Sequence, residues 1–305
     1  MATLTPTVRD MLHWYDGERP GVKANLARLL MHGRTGGSGK LAILPVDQGF
    51  EHGPARSFAP NPAAYDPNYH FELAIDAGLS AFAAPLGLLA AGADRYAGEI
   101  PFILKANNAN SLGTVKDEAV TATVRDALEL GCAAIGYTIY PGSDRQYEMF
   151  EEVRAGAAEA KANGLAVVVW AYPRGGELDG AAETSLDVVA YGAHIAALLG
   201  AHIIKVKPPT AHIAEGLARA AYSEKACAEL DARIAHVVEA AFAGRRIVVF
   251  SGGPARDEEA ILEEVRAIRR GGGHGSIVGR NAFQRSRKDA LRLLDRIIGI
   301  YLGLE

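Results

Sequence analysis

The stretch HIIKVKPP at residues 202–209 sets two ammonium groups, Lys205 and Lys207, into an otherwise apolar, strand-like run. Residues two apart in a strand share a face, so the two side chains point the same way. Burial and a like charge nearby both disfavour an ammonium ion. The neutral amine that results can attack a carbonyl carbon and form a Schiff base. A competing reading is structural: a buried lysine paired with a carboxylate, or a strand-end lysine whose head reaches solvent. Spacing alone leaves open which of the two would be the nucleophile.

Other residues could build a reaction around that amine. Asp47 in PVDQGFEHGP and Tyr172 in WAYPRGG offer proton-transfer and hydroxyl-binding groups. Their structural alternatives are an Asp forming a turn and a core-rim tyrosine with a bonded hydroxyl. The runs SGG (251–253) and GRN (279–281) suit an anion, because glycine lets backbone N–H groups come close and Arg280 adds a charged donor. His52 carries less weight, as one histidine in a loop. The nine histidines form no HxxH pair, and the two cysteines, Cys132 and Cys227, lie far apart. No metal site or disulfide framework is expected from them.

These groups need a scaffold that gathers them. From residue 41 on, short apolar runs alternate with Ala-, Leu- and Glu-rich stretches of helical period, the pattern of repeated βα units. Eight runs are present, at 41–47, 81–87, 101–108, 133–142, 165–173, 202–207, 246–253 and 276–281. They are continuously apolar, as parallel strands covered on both faces are. Helices are expected over 116–130, 145–163 and 183–200, each ending near a glycine that can cap it. Segment 210–243 is long enough for two. The pattern predicts an α/β protein, a (β/α)8 TIM barrel with an N-terminal extension: residues 1–40 as a helix and loop, and 41–305 as the catalytic barrel. In such a barrel reactive groups sit at the C-terminal strand ends. Asp47, Lys105, Asn107, Asn108, Tyr137, Tyr140, Trp170, Tyr172, Lys205, Lys207, Ser251 and Asn281 fall at or near those ends. The loop HGRTGGSGK (32–40) superficially suggests a phosphate-binding loop. Leu41 after Lys40, and a strand following rather than preceding it, exclude that reading and leave a flexible connector.

Composition narrows the class of partner. The 305 residues are 49% hydrophobic and 22% charged, with a formal net charge of −4 and mixed signs throughout. Such a chain offers no basic footprint for nucleic acid. No run approaches the length of a membrane span, and the N-terminus lacks the basic and apolar blocks of a leader. A cytoplasmic enzyme acting on small molecules is expected.

The motifs PVDQGFEHGP, GYTIYPGS, VVVWAYPRGG, IIKVK, FSGGP and VGRNAFQR, in this order, resemble those of the archaeal-type class I fructose-bisphosphate aldolases. The stretch SFAPNPAAYDP resembles the bacterial members in particular. The resemblance covers residues 41–300 and implies a lyase that needs no cofactor or metal. It implies reversible cleavage of fructose 1,6-bisphosphate to dihydroxyacetone phosphate and glyceraldehyde 3-phosphate, in glycolysis or gluconeogenesis, by a homo-oligomer. It assigns the Schiff-base lysine to Lys205, the catalytic tyrosine to Tyr172, and the hydroxyl-binding aspartate to Asp47. Trp170, His52 and Arg174 would line the sugar-phosphate site, with Lys207 close by. Ser251, Gly252, Gly253, Gly279 and Arg280 would hold the phosphate nearest the imine carbon. A related Schiff-base enzyme acting on another phosphorylated sugar or signal molecule would share Lys205 and one phosphate site. Two departures stand out: Gln48 occupies a position that is His in many archaeal members, and Pro208-Pro209 replaces a Tyr- and Gly-containing turn. The second bears on the distal phosphate.

Overall fold

The computed structural model describes residues 3–216, 218–222, 227–251 and 257–305. Among them eight parallel strands close into a barrel: β1 Leu41–Pro45, β2 Ala81–Pro85, β3 Phe102–Lys105, β4 Ala134–Ile139, β5 Ala166–Ala171, β6 Ile203–Val206, β7 Ile247–Phe250 and β8 Gly275–Ile277. They pair in chain order and β8 closes onto β1, with Leu41 opposite Gly275 and Ile43 opposite Ile277.

The strands are largely apolar because alternate residues serve two cores. Ile43, Ala83, Ile103, Val168, Ile203 and Val249 point inward and pack together in the barrel. Leu44, Phe82, Leu104, Val169, Ile204 and Val248 point outward and pack under the helices. A one-residue slip would exchange the two sets, so the register is strongly specified.

The first two helices, α1 (Pro6–His13) and α2 (Pro20–Met31), belong to the inner core. Thr5 caps α1 through the Val8 N–H, and proline opens both helices, where its missing N–H costs nothing. Val8, Met11, Leu12, Tyr15, Val22, Leu26, Leu29 and Leu30 pack against the inward-facing strand residues. The Tyr15 hydroxyl donates to the His202 carbonyl at 2.7 Å and accepts from the Ile247 N–H at 3.1 Å. These contacts lie at the starts of β6 and β7. The N-terminal helices therefore close the end of the barrel opposite the catalytic strand ends.

Two sequence expectations change in detail. Residues 32–40 are a packed connector rather than a flexible one. Thr35 is buried and bonds Ser80, Arg34 N–H bonds the Gly78 carbonyl, and Lys40 donates to the Gly273 carbonyl. The helix expected over 116–130 spans only Val124–Glu129. Thr123 and Asp126 form a capping box that starts it there, and Ala119–Val120 instead pairs antiparallel with Asn107–Asn108. Segment 210–243 carries two helices, Arg219–Tyr222 and Leu230–Ala240. Cys132 and Cys227 are both free, and burial pushes the Cys132 thiol up to about 12.

His70, on helix Pro67–Asp76, is fully buried among Phe58, Tyr69 and Phe283. Its Nε2 bonds the Ala64 carbonyl at 2.8 Å, while Nδ1 is buried without a partner. Burial holds its pKa down, to about 4 from an ordinary 6.5. The folded state thus needs a neutral ring, while the unfolded chain takes a proton below pH 6.5. Stability is fully present above pH 6.5 and falls as pH drops toward 4, by up to about 3 kcal/mol from this residue. Urea midpoints measured across that range will show a shallower loss for His70→Gln than for the parent.

Candidate active site

One cleft at the C-terminal end of the barrel collects most of the residues singled out from sequence. Asp47 follows β1 and starts the short helix Gln48–His52. Tyr172 and Arg174 follow β5, Lys205 lies within β6, and Lys207 lies just past it. Ser251 follows β7, and Gly279 and Arg280 follow β8. All of them, with His52, line the same cleft together with Gln48 and Glu51. Gly252 and Gly253 lie outside the described residues.

Lys205 is at the centre. It continues the inward-facing series begun by Ile203 and is only 4% exposed. Its Nζ lies 5.7 Å from the centroid of the Trp170 ring and 5.3 Å from that of Tyr172. Among the described residues no carboxylate or hydrogen-bond acceptor pairs with it. Aromatic faces attract a cation without neutralising it. This burial without a counter-ion favours the nucleophile over the structural reading of the strand. Lys207 differs, since it pairs with Glu183 at 3.7 Å and is partly open to the cleft. Burial first, and then the charge of Arg174, hold the Lys207 pKa below its ordinary value.

Trp170 lies beneath the cleft as part of the inner core. In the strand register it stands opposite Thr138 on one side and Lys205 on the other. Its large ring fits because its neighbour on β4 is Gly136. A Cβ at Gly136 would come within 2.1 Å of the indole ring. Tyr172 donates to or accepts from Ser251 Oγ at 3.2 Å, which ties the ends of β5 and β7 together beside Lys205. Gly279 packs closely on Pro45 and Gln48, where a Cβ would come within 3.0 Å of the Pro45 carbonyl oxygen. Gln48, the first departure noted above, is thus a buried packing partner of the β8 turn.

A basic arm runs from the cleft toward the β3 side. His52, Arg56, Lys116 and Arg174 line it. Arg174 stacks over Tyr140 at 4.6 Å and over Tyr172 at 5.6 Å, and lies 3.8 Å from Glu51. Its Nε is buried and has no hydrogen-bond partner among the described residues. Burial lowers the His52 pKa, against the nearby Glu51 charge. The Pro208-Pro209 turn does not line this arm.

Glu51 and Glu118 were not singled out from sequence. Glu51 sits one turn after Asp47 on the same short helix, so its place in a motif already quoted was a usable signal. Glu118 had none, because it falls in a stretch read as helix. It is buried, pairs with Lys105 at 3.4 Å and accepts the Tyr140 hydroxyl. Among the described residues no group of three or more His, Cys, Asp or Glu side chains is placed to hold a metal ion.

A closed (β/α)8 barrel presenting a buried, unpaired lysine to a polar cleft is the frame of a lysine-dependent aldolase. The chain belongs to the DeoC/LacD family of aldolases, whose model matches residues 41–285. It is 36% identical to the class 1 fructose-bisphosphate aldolase of Thermoproteus tenax over 271 residues, 87% of this chain and 90% of that protein. It is also 36% identical to a probable class 1 fructose-bisphosphate aldolase of Chlamydia muridarum, over 92% of this chain and 84% of that one. An archaeal fructose-1,6-bisphosphate aldolase structure, with its catalytic lysine covalently bound to the carbinolamine intermediate, superposes with a TM-score of 0.76. Its sequence is 34% identical, and the match covers 92% of this chain and 99% of that one.

Gly136→Ala tests how far the site depends on Trp170. The added methyl displaces the ring, and overpacking of this kind costs about 1–3 kcal/mol. Aldolase turnover by the variant is expected to fall well below the parent while its circular dichroism spectrum stays unchanged.

Proposed function

We propose that this protein is a class I, Schiff-base fructose-bisphosphate aldolase, interconverting fructose 1,6-bisphosphate with dihydroxyacetone phosphate and glyceraldehyde 3-phosphate. The observation that carries the reading is Lys205 itself: buried, facing the cleft, and without a counter-ion among the described residues. In its unprotonated form Lys205 attacks C2 of the open-chain ketose, and loss of water gives an iminium that acts as an electron sink. Asp47 orients the sugar hydroxyls, and Tyr172 moves protons between substrate and lysine. As the C4 hydroxyl gives up its proton and becomes the aldehyde carbonyl, the C3–C4 bond breaks, sends its electron pair into the iminium and releases glyceraldehyde 3-phosphate. Protonation of the enamine and hydrolysis then free dihydroxyacetone phosphate.

With Gly252 and Gly253, which lie outside the described residues, the phosphate next to C2 is taken by Ser251, Gly279 and Arg280. Their position at the ends of β7 and β8 supports this, since many such barrels bind phosphate there. Arg174, with His52, Arg56 and Lys116, takes the distal phosphate, and the positive lining of that arm supports it. Lys207 lines the main cleft beside them. Residues 1–40 act as a structural cap and residues 41–305 as the catalytic barrel.

No helix among the described residues is long and apolar enough to cross a membrane. We place the reaction in the cytoplasm, in glycolysis or gluconeogenesis. The exposed side chains of Tyr147, Tyr191 and Leu198, on neighbouring helices, support a homo-oligomer.

Borohydride reduction in the presence of dihydroxyacetone phosphate, followed by peptide mass spectrometry, will place the adduct on Lys205. An adduct on Lys207, or none, overturns the assignment. Arg174→Met is expected to raise the KM for fructose 1,6-bisphosphate about a hundredfold, since a charge-assisted pair contributes ~3 kcal/mol. The KM for fructose 1-phosphate should hardly move. Turnover of a monophosphate alone by the parent protein would identify a Schiff-base enzyme for a different phosphorylated sugar.

A further inference from the structure

A small polar chamber opens off the catalytic cleft toward β3 and β4. It has a volume of about 20 Å³ and is walled in part by Asp47, Lys105, Glu118, Thr138, Tyr140 and Tyr172. Three of these walls hold one another in place. Glu118 accepts the Tyr140 hydroxyl on one oxygen and pairs with Lys105 on the other. Lys105 also donates to the carbonyl and side-chain oxygens of Asn107. Asn107 in turn is locked onto the Thr138 backbone by bonds of 2.8 and 2.7 Å.

Two other wall groups keep unused hydrogen-bonding capacity. Thr138 is 3% exposed, and only its backbone is bonded: its hydroxyl has no partner among the described residues. Asp47 Oδ1 is likewise buried and without a partner. A site of this size holds a single water, which needs roughly 10–15 Å³ and two to four polar partners. Asp47 and Tyr172 line both this chamber and the main cleft, so its contents lie beside the proton-transfer groups.

We propose that the chamber is the binding site of the one water molecule that Schiff-base chemistry expels and takes back, held by the Thr138 hydroxyl and the Asp47 carboxylate. The inference rests on the aldolase reading above. In the hydrolytic direction the water oxygen bonds to C2 of the iminium, and the C=N electron pair returns to nitrogen. One water proton passes to the Asp47 carboxylate and on to the lysine nitrogen. The carbinolamine hydroxyl then loses the second proton, the C2–N bond breaks, and the ketone forms. Both water protons end on the nitrogen, which leaves as an ammonium group. Imine formation runs the same steps backward and returns the water to the chamber.

Isotope exchange separates this role from a structural one. The parent, Thr138→Val and Thr138→Ser are incubated with dihydroxyacetone phosphate alone in solvent enriched in both ¹⁸O and deuterium. Mass spectrometry then reads ¹⁸O at C2, which requires the water step, and deuterium at C3, which requires enamine protonation. After subtraction of the uncatalysed background, Thr138→Val is expected to lower the ratio of ¹⁸O to deuterium about tenfold, the effect of one lost hydrogen bond. Thr138→Ser should restore it. The chamber has no such role if the valine variant loses both labels equally or neither, or if serine fails to rescue the ratio. A parent protein that incorporates neither label removes the Schiff-base reading itself, and the proposal with it.

Discussion

Two lysines stand at nearby strand ends in this barrel, and the difference between them is the constraint that organises the site. Lys105 is buried and has what a buried ammonium needs: a carboxylate, Glu118, and two oxygens of Asn107. Lys205 is buried to the same degree and has two aromatic faces. Removing a charge from water without pairing it costs several kcal/mol, and among the described residues a carboxylate offsets that cost for Lys105 but not for Lys205. The fold must hold both environments around one indole ring. Trp170 contacts both, with Lys105 Nζ at 5.8 Å from its ring and Lys205 Nζ at 5.7 Å.

That arrangement depends on packing further down. The indole fits only because Gly136 leaves room on the adjacent strand, and it is held in place by the inner core beneath it. Tyr172 and Ser251 brace one side, while the Glu118 cluster braces the other. Around this pairing the cleft is divided by chemistry. Ser251, Gly279 and Arg280 stand at the β7 and β8 ends, and guanidinium and ammonium groups gather toward β3. A small polar chamber opens toward β3 and β4. Positive charge is available at both ends of the cleft, while Lys205 lies against the Trp170 and Tyr172 rings.

Much of this was legible in the sequence because it rests on strand positions. Apolar runs serving an inner and an outer core are hard to mistake, and strand alternation decides which end residues face inward; Tyr137, also near a strand end, turns outward under the helices instead. Lys205, Tyr172, Asp47 and Ser251 all follow from that. The side chains that could not be read enter from connections. Glu118 is buried only because Ala119–Val120 pairs back onto Asn107–Asn108, a contact made across a loop with no periodic signal. The same pairing shortened the expected helix. Gly136 was missed for a different reason: its importance lies in what a neighbouring strand puts beside it. The connector at 32–40 looked flexible by composition, yet Gly33 takes a left-handed conformation that brings its backbone against Gly78 and Leu79, and Gly37 and Gly39 do the same beside Thr5 and Met11.

The two N-terminal helices fill the far end of the barrel and hydrogen-bond across the starts of β6 and β7. That end of the barrel is therefore closed by packed side chains. The strand that carries Lys205 is tied just before its start to Tyr15, so the position of the amine is set from the floor of the barrel as well as from the cleft.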